Sequence, residues 1–304
     1  MLIAVTGATG FLGRYIVGQL TRDGHRCRCW HRPESDRSGF EEAAAGIDWV
    51  AGDLQAPDAF ADFCRGADAV VHGALYRPPG LGFRAAGQEA FDRFIRVNLL
   101  GSLSLMRAAR DAGVARFVFI STCAVHEVIL DDRPLDETHP LWPRTHYGAH
   151  KASVELFVHS FGLGEGWNVC ALRPTGIYGL NQPPRRSRWF DIVRTVVRGG
   201  PFASDLGGKE VHAADVARAV TVLLTAEADQ VRGRSFNCYD LYVAEKTVAM
   251  LAKEISGSGA TVGGENPGPK HQIDTTRLRS LGMTFGGQPL LRRTIEQLVA
   301  AVNA

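Results

Sequence analysis

The chain has 304 residues, 45% of them hydrophobic and 22% charged, a balance that fits a folded globule with a sizeable core and excludes a disordered chain. A formal net charge of +2 gives no electrostatic reason to expect nucleic acid or an anionic membrane as a partner. The ten histidines are scattered along the chain, so no metal site is expected. No run of about 18 apolar residues lacks a charge, which excludes a membrane span, and the N-terminus lacks the pattern of a secretory signal. The six cysteines include no C-x-x-C pair and several fall in apolar runs, as expected of reduced thiols in a cytoplasmic protein.

In chain order, residues 2–6 form a short apolar run, followed by a glycine-rich turn and a helical stretch over 14–23. Strands are predicted over 25–30 and 47–51, a helix over 59–64 and a strand over 69–72. Residues 91–112 are long and periodic, with Phe94, Val97, Leu100, Leu103, Leu105 and Ala108 on one broad apolar face. A strand over 116–120, a helix over 147–162 and a strand over 169–173 follow. The last helix is predicted over 289–303. Regular β-α alternation with continuous apolar strands predicts an α/β, Rossmann-type doubly wound parallel sheet. Past about residue 180 the rhythm loosens. The expected division is a dinucleotide-binding domain over 1–180, with 209–242 returning to it. A small C-terminal substrate-binding lobe would be built from 181–208 and 243–304.

Ligands of such sheets bind beyond the carboxyl ends of the strands. Thr6-Gly7-Ala8-Thr9-Gly10-Phe11-Leu12-Gly13 stands there, between a strand and a helix. Its first two glycines would let the backbone turn tightly and approach a pyrophosphate. The helix N-terminus would offer free N–H groups to that anion. Gly7, Thr9, Gly10, Phe11 and Leu12 are therefore candidate cofactor contacts. The second strand ends in His31-Arg32, where an NAD enzyme usually places Asp or Glu for the adenosine ribose. A guanidinium suits a 2′-phosphate, so NADP is favoured over NAD; the other reading of Arg32 is a solvated loop charge. Asp53 and Leu54 follow the third strand, where Asp53 fits either an adenine contact or a helix cap. Gly73 and Ala74 follow the fourth and are small enough to admit a cofactor, or are ordinary turn packing.

Tyr147 and Lys151, four apart near the start of a helix, share one face. An ammonium beside a phenol would lower its pKa toward that of a general acid/base, and could hold the nicotinamide ribose. Thr122 follows the strand that ends at Ile120, and its hydroxyl could place a substrate oxygen or simply cap a turn.

With these residues in view, the sequence resembles the extended short-chain dehydrogenases/reductases, also called the NAD-dependent epimerase/dehydratase family. The likeness runs through residues 6–13, Gly52-Asp53-Leu54, Val71-His72-Gly73-Ala74, Val97-Asn98-Leu99-Leu100-Gly101, Ser121-Thr122-Cys123-Ala124-Val125, residues 147–151, Arg173-Pro174-Thr175-Gly176-Ile177-Tyr178-Gly179 and His212-Ala213-Ala214-Asp215-Val216-Ala217. The resemblance implies Tyr147 as acid/base, Lys151 as its electrostatic partner and ribose ligand, and Thr122 as the substrate-positioning hydroxyl. It also implies Pro174 and Ile177 beside the nicotinamide. Asn98 would either support the active site or make a buried structural hydrogen bond. Many relatives form homodimers through two long helices, which the 91–112 and 147–162 stretches would supply.

Cys123-Ala124 stand where dehydratases of this family carry Asp-Glu, which disfavours dehydration. Gly208-Lys209 stand where nucleotide-sugar epimerases carry Arg-Asp, so the arginine that clamps a diphosphate is missing. A dehydrogenase or reductase acting on a small-molecule carbonyl/alcohol pair is thus expected, ahead of an epimerase acting on a sugar substrate. A non-catalytic NADP-binding redox sensor is the third reading. Arg77, Arg185, Arg186 and Arg188 are candidates for an anionic substrate, or solvated loop charges.

Overall fold

A computed structural model describes all residues from Met1 to Ala304. In chain order its strands are β1 (Leu2–Thr6), β2 (Arg26–His31), β3 (Ile47–Ala51), β4 (Ala69–His72), β5 (Arg116–Ile120), β6 (Asn168–Pro174), β7 (Gly176–Tyr178), β8 (Phe202–Ala203), β9 (Gly207–His212), β10 (Arg234–Cys238), β11 (Leu241–Ala244) and β12 (Val262–Gly263). The α-helices are α1 (Phe11–Arg22), α2 (Phe60–Cys64), α3 (Phe83–Glu89), α4 (Phe91–Phe94), α5 (Gly101–Asp111), α6 (His146–His159), α7 (Phe190–Val197), α8 (Ala213–Thr225), α9 (Ala228–Val231), α10 (Glu245–Ser256), α11 (Thr276–Arg279) and α12 (Gly287–Asn303). No helix is long and apolar enough to cross a membrane.

The chain divides into two compact units. The first holds residues 1–174, 216–238 and 273–283, and the second 175–215, 239–272 and 284–304. The division differs from the expected one at 175–180, 209–215 and 239–242, which fall in the second unit, and at 273–283, which falls in the first.

A seven-stranded sheet in the order β3-β2-β1-β4-β5-β6-β10 forms the first unit, and every neighbouring pair in it is parallel. This is the Rossmann-type arrangement that the alternating sequence predicts. Strands β1, β4, β5 and β6 are buried almost throughout, because helices cover a parallel sheet on both faces. Leu105, Met106 and Ala109 of α5, with Val154 and Val158 of α6, pack against Val70, Phe117, Phe119, Val169 and Ala171 of the strands. The long helix expected over 91–112 is not regular. Ile95–Leu100 forms a π-helical segment between α4 and α5, the kind of insertion that re-aims side chains at functional sites.

The second unit holds a three-stranded sheet, β11-β9-β7, and a short pair, β12-β8. Tyr178, Trp189, Phe190, Val193, Val248, Leu291 and Ile295 form its core, drawn from β7, α7, α10 and α12 and the residue preceding α7.

Candidate functional site

The turn between β1 and α1 is built for close approach. Gly7 takes φ 74°, and a Cβ there would stand 2.8 Å from the backbone of Gly73 and Ala74. A Cβ on Gly13 would stand 2.1 Å from the Gly7 carbonyl oxygen. Turn, helix and β4 end therefore meet backbone to backbone. Gly10 is the N-cap of α1 and no side chain caps the helix, so the positive end of α1 is left for an anion such as a pyrophosphate. Thr9, Phe11 and Leu12 flank it, half-buried. These residues fit a dinucleotide.

His31 ends β2 and donates to Arg32 O through Nδ1–H, 3.1 Å away. The Arg32 side chain is exposed and reaches Glu34 through Nε at 3.1 Å. Arg14 fastens the same loop, with Nη2 donating to Asp36 O at 2.8 Å and the guanidinium 4.8 Å from the Phe40 ring centroid. Asp53 accepts from Gln55 N at 2.9 Å and shapes its own turn. The Leu54 side chain is buried in the core.

Behind Gly73 and Ala74 runs a polar relay that the sequence reading missed. Thr6 Oγ1 meets His72 Nδ1 at 2.7 Å, and His72 Nε2 meets Ser102 Oγ at 2.8 Å. Burial pushes His72 down to about 3, with the charge of Lys151 acting in the same direction. Asn98, in the π segment, accepts from Tyr76 N at 2.6 Å and donates to Tyr76 O at 2.9 Å. It clamps the segment after β4 by both backbone groups.

Thr122, in the turn after β5, faces Tyr147 of α6, and Lys151 follows one helical turn on. Thr122 follows β5 and accepts from Ala124 N at 3.1 Å, turning the chain. Thr145 caps α6 by accepting from Gly148 N at 3.1 Å, which places Tyr147 in the first turn. Its ring lies 5.6 Å from the His150 ring, and its side chain is half-buried. Lys151 is buried, donates to Ile120 O at 2.7 Å and sits 4.4 Å from the centre of the Phe119 ring. Burial pushes the Lys151 ammonium down to about 7.

The expected lowering of the Tyr147 pKa by Lys151 is corrected by this geometry. Burial raises the phenol; a hydrogen bond from Thr122 and the charge of Arg84 oppose that rise. The ammonium is engaged with the end of β5 instead.

Under this trio lies a buried ion pair. Arg173 Nη2 stands 2.6 Å from Glu155 Oε2, with the two side chains 1% and 0% exposed. Ser121 Oγ and Ser235 Oγ donate to the same carboxylate, the latter at 2.7 Å. Arg173 Nη1 bonds His126 Nε2 at 3.1 Å; as the guanidinium only donates, the imidazole is neutral and its Nδ1–H donates to Pro140 O at 3.1 Å. The Cys123 thiol donates to Arg173 O at 2.9 Å. One network thus ties the Thr122 turn to α6, β6 and β10. The signal for Glu155 was present in the sequence, eight residues after Tyr147 and four after Lys151 on the same helical face. Arg173 inside an apolar strand announced a buried partner without saying which.

Pro174 ends β6 in the first unit, and Ile177 lies in β7 of the second. Arg188, in the second unit, pairs with the buried Glu210 at 2.6 Å. Glu210 is pushed up to about 7 by burial. Arg77 donates to Leu81 O at 2.7 Å.

The family model for the NAD dependent epimerase/dehydratase family matches residues 3–238. The chain belongs to that family, and it is an enzyme of the extended short-chain dehydrogenase/reductase type. It is 31% identical over 272 residues to a 4-hydroxy-2-methyl-3-oxo-4-farnesyl-3,4-dihydroquinoline-1-oxide ketoreductase of Stigmatella aurantiaca, covering 85% of this chain and 74% of that one. To a ceramide reductase of Caulobacter vibrioides it is 37% identical over 178 residues, covering 59% of this chain and 47% of that one. The chain spans about half the length of several curated relatives it matches. A UDP-glucose 4-epimerase from Stenotrophomonas maltophila with bound NAD superposes with a TM-score of 0.81 at 21% identity, covering 100% of this chain and 99% of that one. At that identity the likeness speaks for the fold alone.

Proposed function

We propose that the chain is an NADP-dependent oxidoreductase that interconverts a carbonyl and an alcohol on a small-molecule substrate, with Tyr147 as the acid/base. The observation that carries this reading is the phenol of Tyr147 facing Thr122, one helical turn from Lys151, beyond the carboxyl end of β5. Gly7, Thr9, Gly10, Phe11 and Leu12 would hold the pyrophosphate, Asp53 and Leu54 the adenine side, and Gly73 and Ala74 the path between. Lys151 would hold the nicotinamide ribose. The dinucleotide, when bound, supplies or accepts the hydride. Thr122 places the substrate oxygen, and Tyr147 exchanges the proton with it. Burial holds the phenol in its protonated form, which suits a proton donor in the reducing direction.

Cofactor choice rests on His31 and Arg32 at the end of β2, with Arg37 on the loop that follows, Arg14 of α1 fastening that loop, and no carboxylate on the last strand residue. The reductase reading draws on the activities of the ketoreductase and the ceramide reductase. Dehydration lacks an acid at 123 and 124, where the Cys123 thiol is spent on Arg173 O. Epimerisation of a sugar nucleotide lacks an arginine at 208. The second unit would serve as the substrate-binding lobe. Exposed Leu100, Leu156, Phe157 and Leu163, on or next to α5 and α6, suit a homodimer, which sedimentation would show as twice the chain mass. A cytoplasmic location agrees with six free thiols.

The test follows NADPH and NADH absorbance against panels of ketones, aldehydes and sugar nucleotides. Oxidation of NADPH by a carbonyl, with NADPH preferred to NADH and the preference reversed in Arg32→Asp, is the expected result. Conversion of a sugar nucleotide without net cofactor change would contradict the reaction, and equal affinity for the two cofactors would contradict the choice of NADP.

A further inference from the structure

Helix α3 is a seven-residue segment fixed by two contacts to the first turn of α6 and by a third to Glu127. Gly87 approaches so closely that a Cβ there would stand 3.1 Å from His146 Cβ and 3.2 Å from Tyr147 N. Phe83 lies over Tyr147, with ring centroids 5.6 Å apart and planes at 24°. Arg84 Nη2 bonds Glu127 Oε1 at 3.0 Å. The other oxygen of Glu127 accepts from Arg144 N at 2.5 Å and from Thr145 Oγ1 at 3.0 Å, and Thr145 is the residue that caps α6.

Phe83 is 51% exposed, an uncommon place for a phenylalanine on a short helix. What its ring does bury is laid against the phenol, and the Arg77 guanidinium stands 5.5 Å from its centroid. The groups facing Tyr147 are Thr122 and Cys123 from the turn after β5, Arg84 from α3, and His150 on its own helix. A phenol that gives its proton to a substrate oxygen has to be kept from trading it with bulk water, and its rotamer has to be held.

We propose that Phe83 and Arg84 are positioning residues of the reaction site: Phe83 shields the Tyr147 phenol from water, and the Arg84–Glu127 pair latches this cover to the capped end of the catalytic helix. The proposal rests on the reading of Tyr147 as proton donor. The other half of Glu127 belongs to the latch as well, since it holds the cap residue itself.

The experiment compares nitration of Tyr147 by tetranitromethane at mildly alkaline pH, read by peptide mass, in the full chain and its variants. Phe83→Ala removes the cover. Glu127→Gln keeps one acceptor oxygen for Arg144 N and Thr145 and puts its NH2, which cannot accept, toward Arg84. Both should raise the Tyr147 rate severalfold, while Arg84→Lys keeps the parent rate. Tyr178, fully buried in the second unit, reports on the fold by staying unmodified. Should Phe83→Ala unmask Tyr178, the Glu127→Gln comparison decides alone. In carbonyl reduction the same two variants should lower kcat, leave KM for NADPH unchanged and move the basic limb of the kcat profile to lower pH. Equal nitration of Tyr147 in the parent, Phe83→Ala and Glu127→Gln would overturn the proposal. Nitration needs no turnover, so an absence of carbonyl reduction would sink the proposed activity and leave the shielding result standing.

Discussion

Lys151 shows how much a single side chain can carry. Its ammonium is sealed under α6, bonded to Ile120 O, and pushed down from 10.5 to about 7 by burial. Between about pH 7 and 10.5 the unfolded chain therefore binds a proton at this position that the folded chain does not. Stability must rise with pH across that window and gain nothing further below it. Lys151→Met should flatten the rise, as urea denaturation at several pH values would show; an unchanged slope would mean that the ammonium is solvated. Lys151→Ala should also weaken NADPH binding, whereas Thr122→Ala should lower kcat and leave cofactor affinity near that of the parent. Tyr147, Lys151 and Thr122 were legible because a helix repeat and a strand end are local patterns. The direction of the Tyr147 shift was not, because it comes from burial of the phenol, which only the folded chain produces.

At the scale of elements, the Glu155–Arg173 pair joins α6 to β6 and, through Ser235, to β10. Arg173→Met alone leaves a carboxylate buried among hydroxyls and should cost about 3–5 kcal/mol of stability. Glu155→Met combined with Arg173→Met should recover much of that loss, since no charge is then left unpaired in the interior. A double-mutant cycle in urea checks it; additive losses would show that the two groups act independently. The apolar runs of β1, β4, β5 and β6 were readable in the sequence because parallel strands are buried on both faces. Past residue 180 the closing helix, expected over 289–303, was readable as α12, whereas β8, β11 and β12 were not, since they are two to four residues long and offer no period to detect. Helix α3 escaped for a similar reason: Pro78, Pro79, Gly80 and Gly82 precede it and read as loop. The π segment inside the long helical stretch left no mark in the apolar spacing.

Across the whole molecule, three buried histidines set the acid response. His72, His126 and His150 are held down to about 3, 4 and 2, each chiefly by burial. As pH falls through 6.5 the unfolded chain takes up protons that these side chains refuse in the fold. Each histidine therefore removes about 1.4 kcal/mol of stability per pH unit, down to its own depressed value. Glu210, pushed up to about 7, works in the opposite sense between 4.5 and 7, because the folded chain keeps its proton there. His150 Nδ1 has no hydrogen-bond partner, so His150→Leu should remove one histidine's share of the slope below pH 6.5, and an unchanged slope would show that His150 titrates freely. These histidines, like the ion pair beneath the trio, frame the site that the account depends on. The most direct test of that site is stopped-flow oxidation of NADPH by a reactive carbonyl, comparing the parent with Tyr147→Phe. The account predicts a fall in kcat of about a hundredfold or more with NADPH affinity nearly intact; full activity without the phenol oxygen would contradict it.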